Sequence, residues 1–234
     1  MSLKLPFDIY QRYKFASEKI LEFDAKSILD VGAGDDKYLT SFLTETRQYF
    51  SIDLYGGDVI ADATNLPFSN KAFDMVLCLD VLEYIDRDKQ KKLIEELQRV
   101  GKKVLISTPV NTSKTEAAEK GCSDFYIWLR GSPYPWLSGN AEEGRKNLGL
   151  PKEDEILKMI NREHVETFPN GHLSRWETMM KLNFLLSLSL LQKPLYTALN
   201  YLYNALFYRI DNKKPAFRTF FLIKEWEVRN EEKD

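Results

Sequence analysis

A doubly wound α/β fold built on a mostly parallel sheet is what this sequence predicts, and three observations carry the prediction. Short apolar runs bounded by turn residues alternate with longer stretches of helical period through the first half of the chain. The first of those runs opens directly into a glycine-rich turn, Asp30-Val31-Gly32-Ala33-Gly34. The chain has 234 residues, 44% of them apolar, which suits one large domain, residues 1–234, around a packed core.

In chain order, residues 7–23 place Ile9, Tyr13, Ala16, Ile20 and Phe23 on one face, the pattern of a helix laid over a sheet. Tyr10 and Tyr13 read as packing residues of that helix rather than as a cover for a ligand. Residues 27–31, 49–53, 59–61, 73–79 and 103–107 are predicted as five buried strands. Cys78, inside the fourth, reads as a packing residue. Between strands, Leu39, Phe42 and Leu43 form one helical stripe, and Leu93, Ile94, Leu97 and Val100 form another, with Asp86 as N-cap and Gly101 as its stop.

Beyond the fifth strand the pattern loosens. Residues 110–173 carry Gly, Pro, Ser and charge and are predicted as a long substrate-side insertion after strand five. Its aromatics Phe125, Tyr126, Trp128, Tyr134 and Trp136 suit either a lid or a satellite core. A capping box, Ser174-Arg175-Trp176-Glu177, opens a helix that Asn183 closes. Strict Leu-Ser alternation over 184–190 is read as the sixth strand. Pro194 then starts a helix with Leu195, Leu199, Leu202, Leu206 and Ile210 on one face, the kind of face that covers a sheet, and 216–227 is the seventh strand.

Composition narrows the function. Thirty-three basic against 35 acidic residues give a net charge of −2 without a long basic run, which argues against a nucleic-acid partner. Two cysteines, Cys78 and Cys122, can build neither a disulfide framework nor a thiolate zinc cage, and no metal site is expected. With no charged-then-apolar leader at the N-terminus, a reducing, cytoplasmic setting is the expectation.

The glycine turn is the most informative segment. Glycine permits positive φ and close approach of a ligand to the backbone, while a following helix start would offer unpaired N–H groups and a positive dipole end. Asp53, ending the second strand, can bring a carboxylate to the same crevice, where its two oxygens suit the hydroxyls of a ribose. A dinucleotide fingerprint needs a third glycine where Lys37 stands, so an adenosine-containing cofactor of another kind fits better than a nicotinamide.

Ile28-Leu29-Asp30-Val31-Gly32-Ala33-Gly34, then Asp53, then Asp62-Ala63-Thr64-Asn65-Leu66-Pro67-Phe68, then Phe73-Asp74-Met75-Val76 and Val81-Leu82-Glu83-Tyr84-Ile85 follow one another in that order. Taken together they resemble the class I S-adenosylmethionine (SAM) dependent methyltransferases of small molecules, over residues 27 to about 108. The resemblance implies a Rossmann-like seven-stranded sheet with the last strand antiparallel between its neighbours, and SAM as cofactor. It further implies that Gly32, Ala33 and Gly34 wrap the methionyl part, Asp30 helps hold its amino group, Asp53 binds the ribose, and Asp62 with the Ala63 backbone reads the adenine. Leu79 and Asp80 would line the pocket beside the sulfonium.

Two positions depart from the family pattern: Asp36 replaces a common third glycine, and Tyr84 stands where histidine is frequent. A general base is required only when the acceptor must shed a proton, and His164, His172 and Asp80 are the candidates, the histidines reading more readily as structural. The expected partner is a small-molecule methyl acceptor. A methyltransferase-like binding protein with little SAM affinity is the alternative, and a nicotinamide oxidoreductase a more remote one. The run 182–208 lacks acidic residues, so peripheral contact with anionic lipid is a second reading of the late helix, less favoured than sheet packing.

Overall fold

A computed structural model describes residues 2–35, 37–43, 46–132, 149–160, 164–188 and 192–224. Asp36, Tyr134, Trp136 and the ends of the predicted sixth and seventh strands, 189–190 and 225–227, lie outside the described residues. Five strands run parallel: β1 (Ser27–Val31), β2 (Gln48–Asp53), β3 (Val59–Ile60), β4 (Phe73–Leu79) and β5 (Gly101–Pro109). With β6 (Val165–His172) and β7 (Ala216–Ile223) they make one seven-stranded sheet ordered β3-β2-β1-β4-β5-β7-β6, in which β7 lies antiparallel between β5 and β6.

Strand alternation sorts the core into two layers. Ile28, Met75, Leu77, Leu105, Phe220 and Leu222 meet Tyr13, Ala16 and Ile20 of α1 (Phe7–Glu22) on one face. Leu29, Val31, Val76, Cys78, Val104, Ile106 and Phe221 meet Leu93, Ile94, Leu97 and Val100 of α2 (Arg87–Val100) on the other. Asp86 takes the N-cap position of α2 without a side-chain cap bond, and Gly101 ends the helix as predicted.

The described residues of the predicted insertion include three regular elements: α3 (Ser113–Arg130), capped by Thr112 through a bond from the Thr115 amide, α4 (Glu153–Ile160) and β6 itself. Phe125 and Tyr126 pack in a third cluster with Ala118, Cys122, Trp176, Met179, Phe184 and Phe217, whereas Trp128 is exposed. Phe125 and Tyr126 therefore belong to a satellite core.

Three expectations are corrected. The sixth strand is Val165–His172, and Phe184–Leu186 instead close the helix α5 (Leu173–Leu186), which buries Trp176, Met179 and Phe184 against α3. The turn residues Pro169-Asn170-Gly171 mask the true strand in the sequence; they are tolerated because β6 is the sheet's edge. Second, the stripe Leu39, Phe42, Leu43 belongs to a 3₁₀ turn, Tyr38–Phe42, entered through Lys37 at φ +44°, and not to an α-helix. Third, α6 (Gln192–Asp211) turns most of its predicted apolar face outward: Asn200, Tyr203, Asn204, Tyr208 and Asp211 are buried and Leu199 is half-buried against the third cluster, while Leu195, Leu202, Leu206 and Ile210 are exposed.

Hydrogen bonding explains that inversion. Asn200 Oδ1 accepts from the Phe7 amide at 2.7 Å, one of the otherwise unpaired donors at the start of α1. Asn204 Nδ2 donates to the carbonyls of Leu3 and Leu5, both at 3.0 Å. Asp211 accepts from Gln11, Arg175 and Tyr203. The polar face thus satisfies backbone of the N-terminal segment that would be costly to bury unpaired.

Candidate active site

Strand order reverses between β1 and β4, which opens a crevice at the carboxyl ends of the strands, the usual ligand position in such sheets. The glycine turn lies there. Gly32 at φ +75° donates its amide to Ile52 O at 2.7 Å, and a Cβ on it would stand 2.3 Å from Val81 Cγ2. Gly34 at φ +62° is the opposite case: a Cβ there would meet nothing within 4 Å, so its outer side is open to a ligand.

Asp53 joins the turn to the second strand. Its Oδ2 accepts from the Gly34 amide at 3.1 Å and its Oδ1 from the Tyr55 amide at 3.0 Å. The Asp53 carbonyl accepts from Ala61 N at 3.1 Å, which brings the loop of Asp62 and Ala63 alongside. Asp62 Oδ1 accepts from the Thr64 amide and hydroxyl at 2.8 and 2.9 Å, bonds that hold its carboxyl below the ordinary carboxylate range. Arg99 of α2 clamps the rest of this loop through the carbonyls of Leu66 and Phe68, at 2.8 and 2.7 Å, and Glu96 accepts from Leu66 N. The predicted residues Asp30, Gly32, Ala33, Gly34, Asp53, Asp62, Ala63 and Leu79 are therefore set on neighbouring strand ends and loops of one sheet edge.

The expected helix dipole behind the turn is missing, because a five-residue 3₁₀ turn follows it. Lys37 bonds Asp58 at 2.5 Å, and Asp58 in turn accepts from the Ser51 amide and hydroxyl. Backbone amides and carboxylates, rather than a helix start, are what this turn offers a ligand.

Asp30 is buried and accepts from Tyr49 Oη at 3.1 Å. Burial pushes its carboxyl up to about 7, against the opposing pull of the Tyr49 bond and of Arg12. Between the ordinary carboxylate range near 4 and about 7 the folded chain holds a proton that the unfolded chain has released. Asp30 thus subtracts stability progressively as pH rises through that window and no further above it. Asp30→Asn should flatten this part of the stability profile in urea unfolding; an unchanged slope would assign it to another group.

Beyond the end of β4, Asp80 at φ +56° anchors a buried ion cluster that the sequence did not announce. Its Oδ2 lies 2.9 Å from Arg12 Nη1 and 2.6 Å from Arg218 Nη2, and Ser107 Oγ donates to Oδ1 at 2.7 Å. Arg218, 1% exposed, also reaches Asp8 at 2.9 Å and Asn170 Oδ1 at 3.3 Å. Burial alone would raise the Asp80 pKa, but Arg218 and then Arg12 outweigh it and hold the carboxylate low. Both carboxylate oxygens of Asp80 are thus engaged, Oδ1 by the Ser107 hydroxyl and Oδ2 by the two guanidiniums.

Asp80, Asp8, Arg12, Glu83, Tyr84 and Arg218 line a cavity of about 260 Å³ whose apolar wall comes from Ile9, Pro109, Trp176, Met180 and Phe217. Trp176 and Phe217 stack face to face at 3.9 Å. Neither histidine lines it. His164 precedes β6 at the amino-terminal edge of the parallel strands, the far side from the crevice, since Val165 pairs with Ile223 and Ile223 with Val104 near the start of β5. His172 ends β6 at the proper edge but on the outermost strand, where burial and then Arg175 lower its pKa. A visible trace of Arg12 and Arg218 did exist: Asp8 and Arg12 share a helix face at i,i+4, and Arg218 is the one charged residue of the strand Ala216–Ile223.

Residues 29–104 match the family model described as a methyltransferase domain. The plantazolicin methyltransferase BpumL, solved with S-adenosylhomocysteine (SAH), is 16% identical and superposes with a TM-score of 0.53, covering 94% of this chain and 85% of that one. The [4+2]-cyclase SpnF is 14% identical with a TM-score of 0.54, covering 92% and 81%. A SAM-dependent methyltransferase from Clostridium acetobutylicum is 13% identical with a TM-score of 0.50, covering 94% and 92%. No curated protein sequence matches. At such identities the superpositions speak for the fold, and the matched segment speaks for the family. Residues 29–104 thus match a methyltransferase domain, and they lie in a Rossmann-like sheet, the fold shared with the superposed structures.

Proposed function

We propose that this domain binds SAM in the crevice between the glycine turn and Asp53 and transfers its methyl group to a small molecule held in the cavity beside Asp80. The observation that carries the reading is the 3.1 Å bond between the Gly34 amide and Asp53, which joins an open backbone turn to a carboxylate at the strand-order reversal. Gly34 has room for a ligand above it, and Asp53 and Asp62 each present a carboxylate at this edge, an acceptor set that suits the hydroxyls of a ribose and an adenine amino group.

Bound SAM supplies an activated methyl group whose departure leaves a neutral thioether. The chain's own residues then have to position and exclude water. Orientation of this kind contributes roughly 7–11 kcal/mol in ideal intramolecular cases. Trp176 and Phe217 give the acceptor an apolar wall, and α1 closes the cavity through Ile9 and Arg12. Three lining carboxylates, Asp8, Asp80 and Glu83, face two guanidiniums, Arg12 and Arg218, a balance that favours a neutral or cationic acceptor over an anionic one.

Calorimetric titration with SAH tests the reading. Binding is expected, and Asp53→Ala should weaken it roughly tenfold to a hundredfold, the equivalent of charge-assisted hydrogen bonds worth about 1.5–3 kcal/mol. An unchanged affinity would remove Asp53 from the ribose role. No heat and no thermal shift at high ligand concentration would favour the methyltransferase-like binding protein instead.

A further inference from the structure

We infer that the outer face of α6 is a docking surface for an anionic lipid membrane. The helix is 20 residues long, about 30 Å, and its exposed residues include an apolar stripe of Leu195, Ala198, Leu202, Leu206 and Ile210. Leu202 and Leu206 are 56% and 66% exposed. An amphipathic helix normally buries such a stripe. Here the opposite face is committed to the N-terminal segment through Asn200, Asn204 and Asp211, so the leucines have no partner within the described residues. A contiguous exposed apolar face of this kind marks an interaction site.

Charge selects the occupant. No acidic residue lies between 193 and 210, while Lys193 and Arg209 are exposed on the helix and Lys213 just beyond it. Lys4 and Lys193 flank an open groove of about 680 Å³ whose floor includes Pro194, Ala198, Tyr201 and Leu202. The nearby carboxylates are already engaged: Asp211 is buried with Arg175 and Tyr203, and Glu18 holds Lys14 and the Tyr208 hydroxyl. A second copy across a two-fold axis would set this cationic rim against itself. Anionic headgroups complement the rim while acyl chains receive the leucines. Among the described residues no helix is long and apolar enough to cross a membrane.

Sedimentation of the full chain with vesicles of phosphatidylcholine alone, and of phosphatidylcholine mixed with phosphatidylglycerol, tests this without reference to methyl transfer or cofactor. Binding is expected to the mixed vesicles only and to fall with added salt. Lys193→Gln should weaken it about fivefold, the usual worth of one basic residue near an anionic surface. Leu202→Glu with Leu206→Glu should weaken it at least about tenfold while the melting temperature holds, because both side chains stand in the open. Equal binding to both vesicles would overturn the anionic assignment, and binding to neither would overturn the surface itself. A salt-insensitive dimer that the double glutamate variant dissociates, with no vesicle binding, would assign the face to a second copy.

Discussion

Asp80→Asn should destabilise the fold by about 3 kcal/mol, and Asp80→Ala by about 1 more, because two buried guanidiniums would lose the carboxylate they share. Asparagine tolerates the left-handed backbone found at this position, so it isolates the charge, whereas alanine adds conformational strain at φ +56°. The loss should be partly recovered by also replacing Arg218 with methionine, which removes one unpaired buried charge. The native carboxylate is held below its ordinary range, so its contribution is complete above about pH 4 and is lost as pH falls through the depressed value. Urea unfolding with an unchanged m-value is the measurement. A difference under about 1 kcal/mol for Asp80→Asn would mean that Asp8 and Asn170 hold Arg218 without the Asp80 charge.

Gly32→Ala should cost about 2–5 kcal/mol and abolish measurable SAH binding, since two independent penalties act on one atom. The first is the backbone: φ is +75°, where any side chain is strained. The second is space, with Val81 Cγ2 only 2.3 Å from the new Cβ. The penalties separate in a double-mutant cycle. Adding Val81→Ala should return the steric part, roughly 1–3 kcal/mol, and leave the backbone part in place. Additivity of the two substitutions would show that Val81 is not what Gly32 avoids. Gly34→Ala is the comparison, because its Cβ meets open space and only the backbone term applies to stability.

The sheet and the glycine turn were legible from the chain itself. Ser27–Val31 and Phe73–Leu79 are observed with the predicted bounds, because a buried parallel strand is a continuous apolar run between turn residues and needs no distant partner to be recognised. The turn was legible for a similar reason: positive φ at Gly32 and Gly34 is a local demand that only glycine meets without strain. The edge strand Val165–His172 was hidden by Pro169 and Gly171, which a central strand would not carry.

The ion cluster belongs to the tertiary level altogether. Arg12 and Arg218 meet on Asp80 from opposite ends of the chain, and no local pattern tells a buried guanidinium which carboxylate it will find. The same holds for α6. Residue order by itself determined that Leu195, Leu202, Leu206 and Ile210 would share one side of a helix, since a period of 3.6 follows from the covalent chain. Which side turned inward was decided only when Asn200 and Asn204 found the unpaired backbone groups at Leu3, Leu5 and Phe7, because an unsatisfied buried amide costs more than an exposed leucine forfeits.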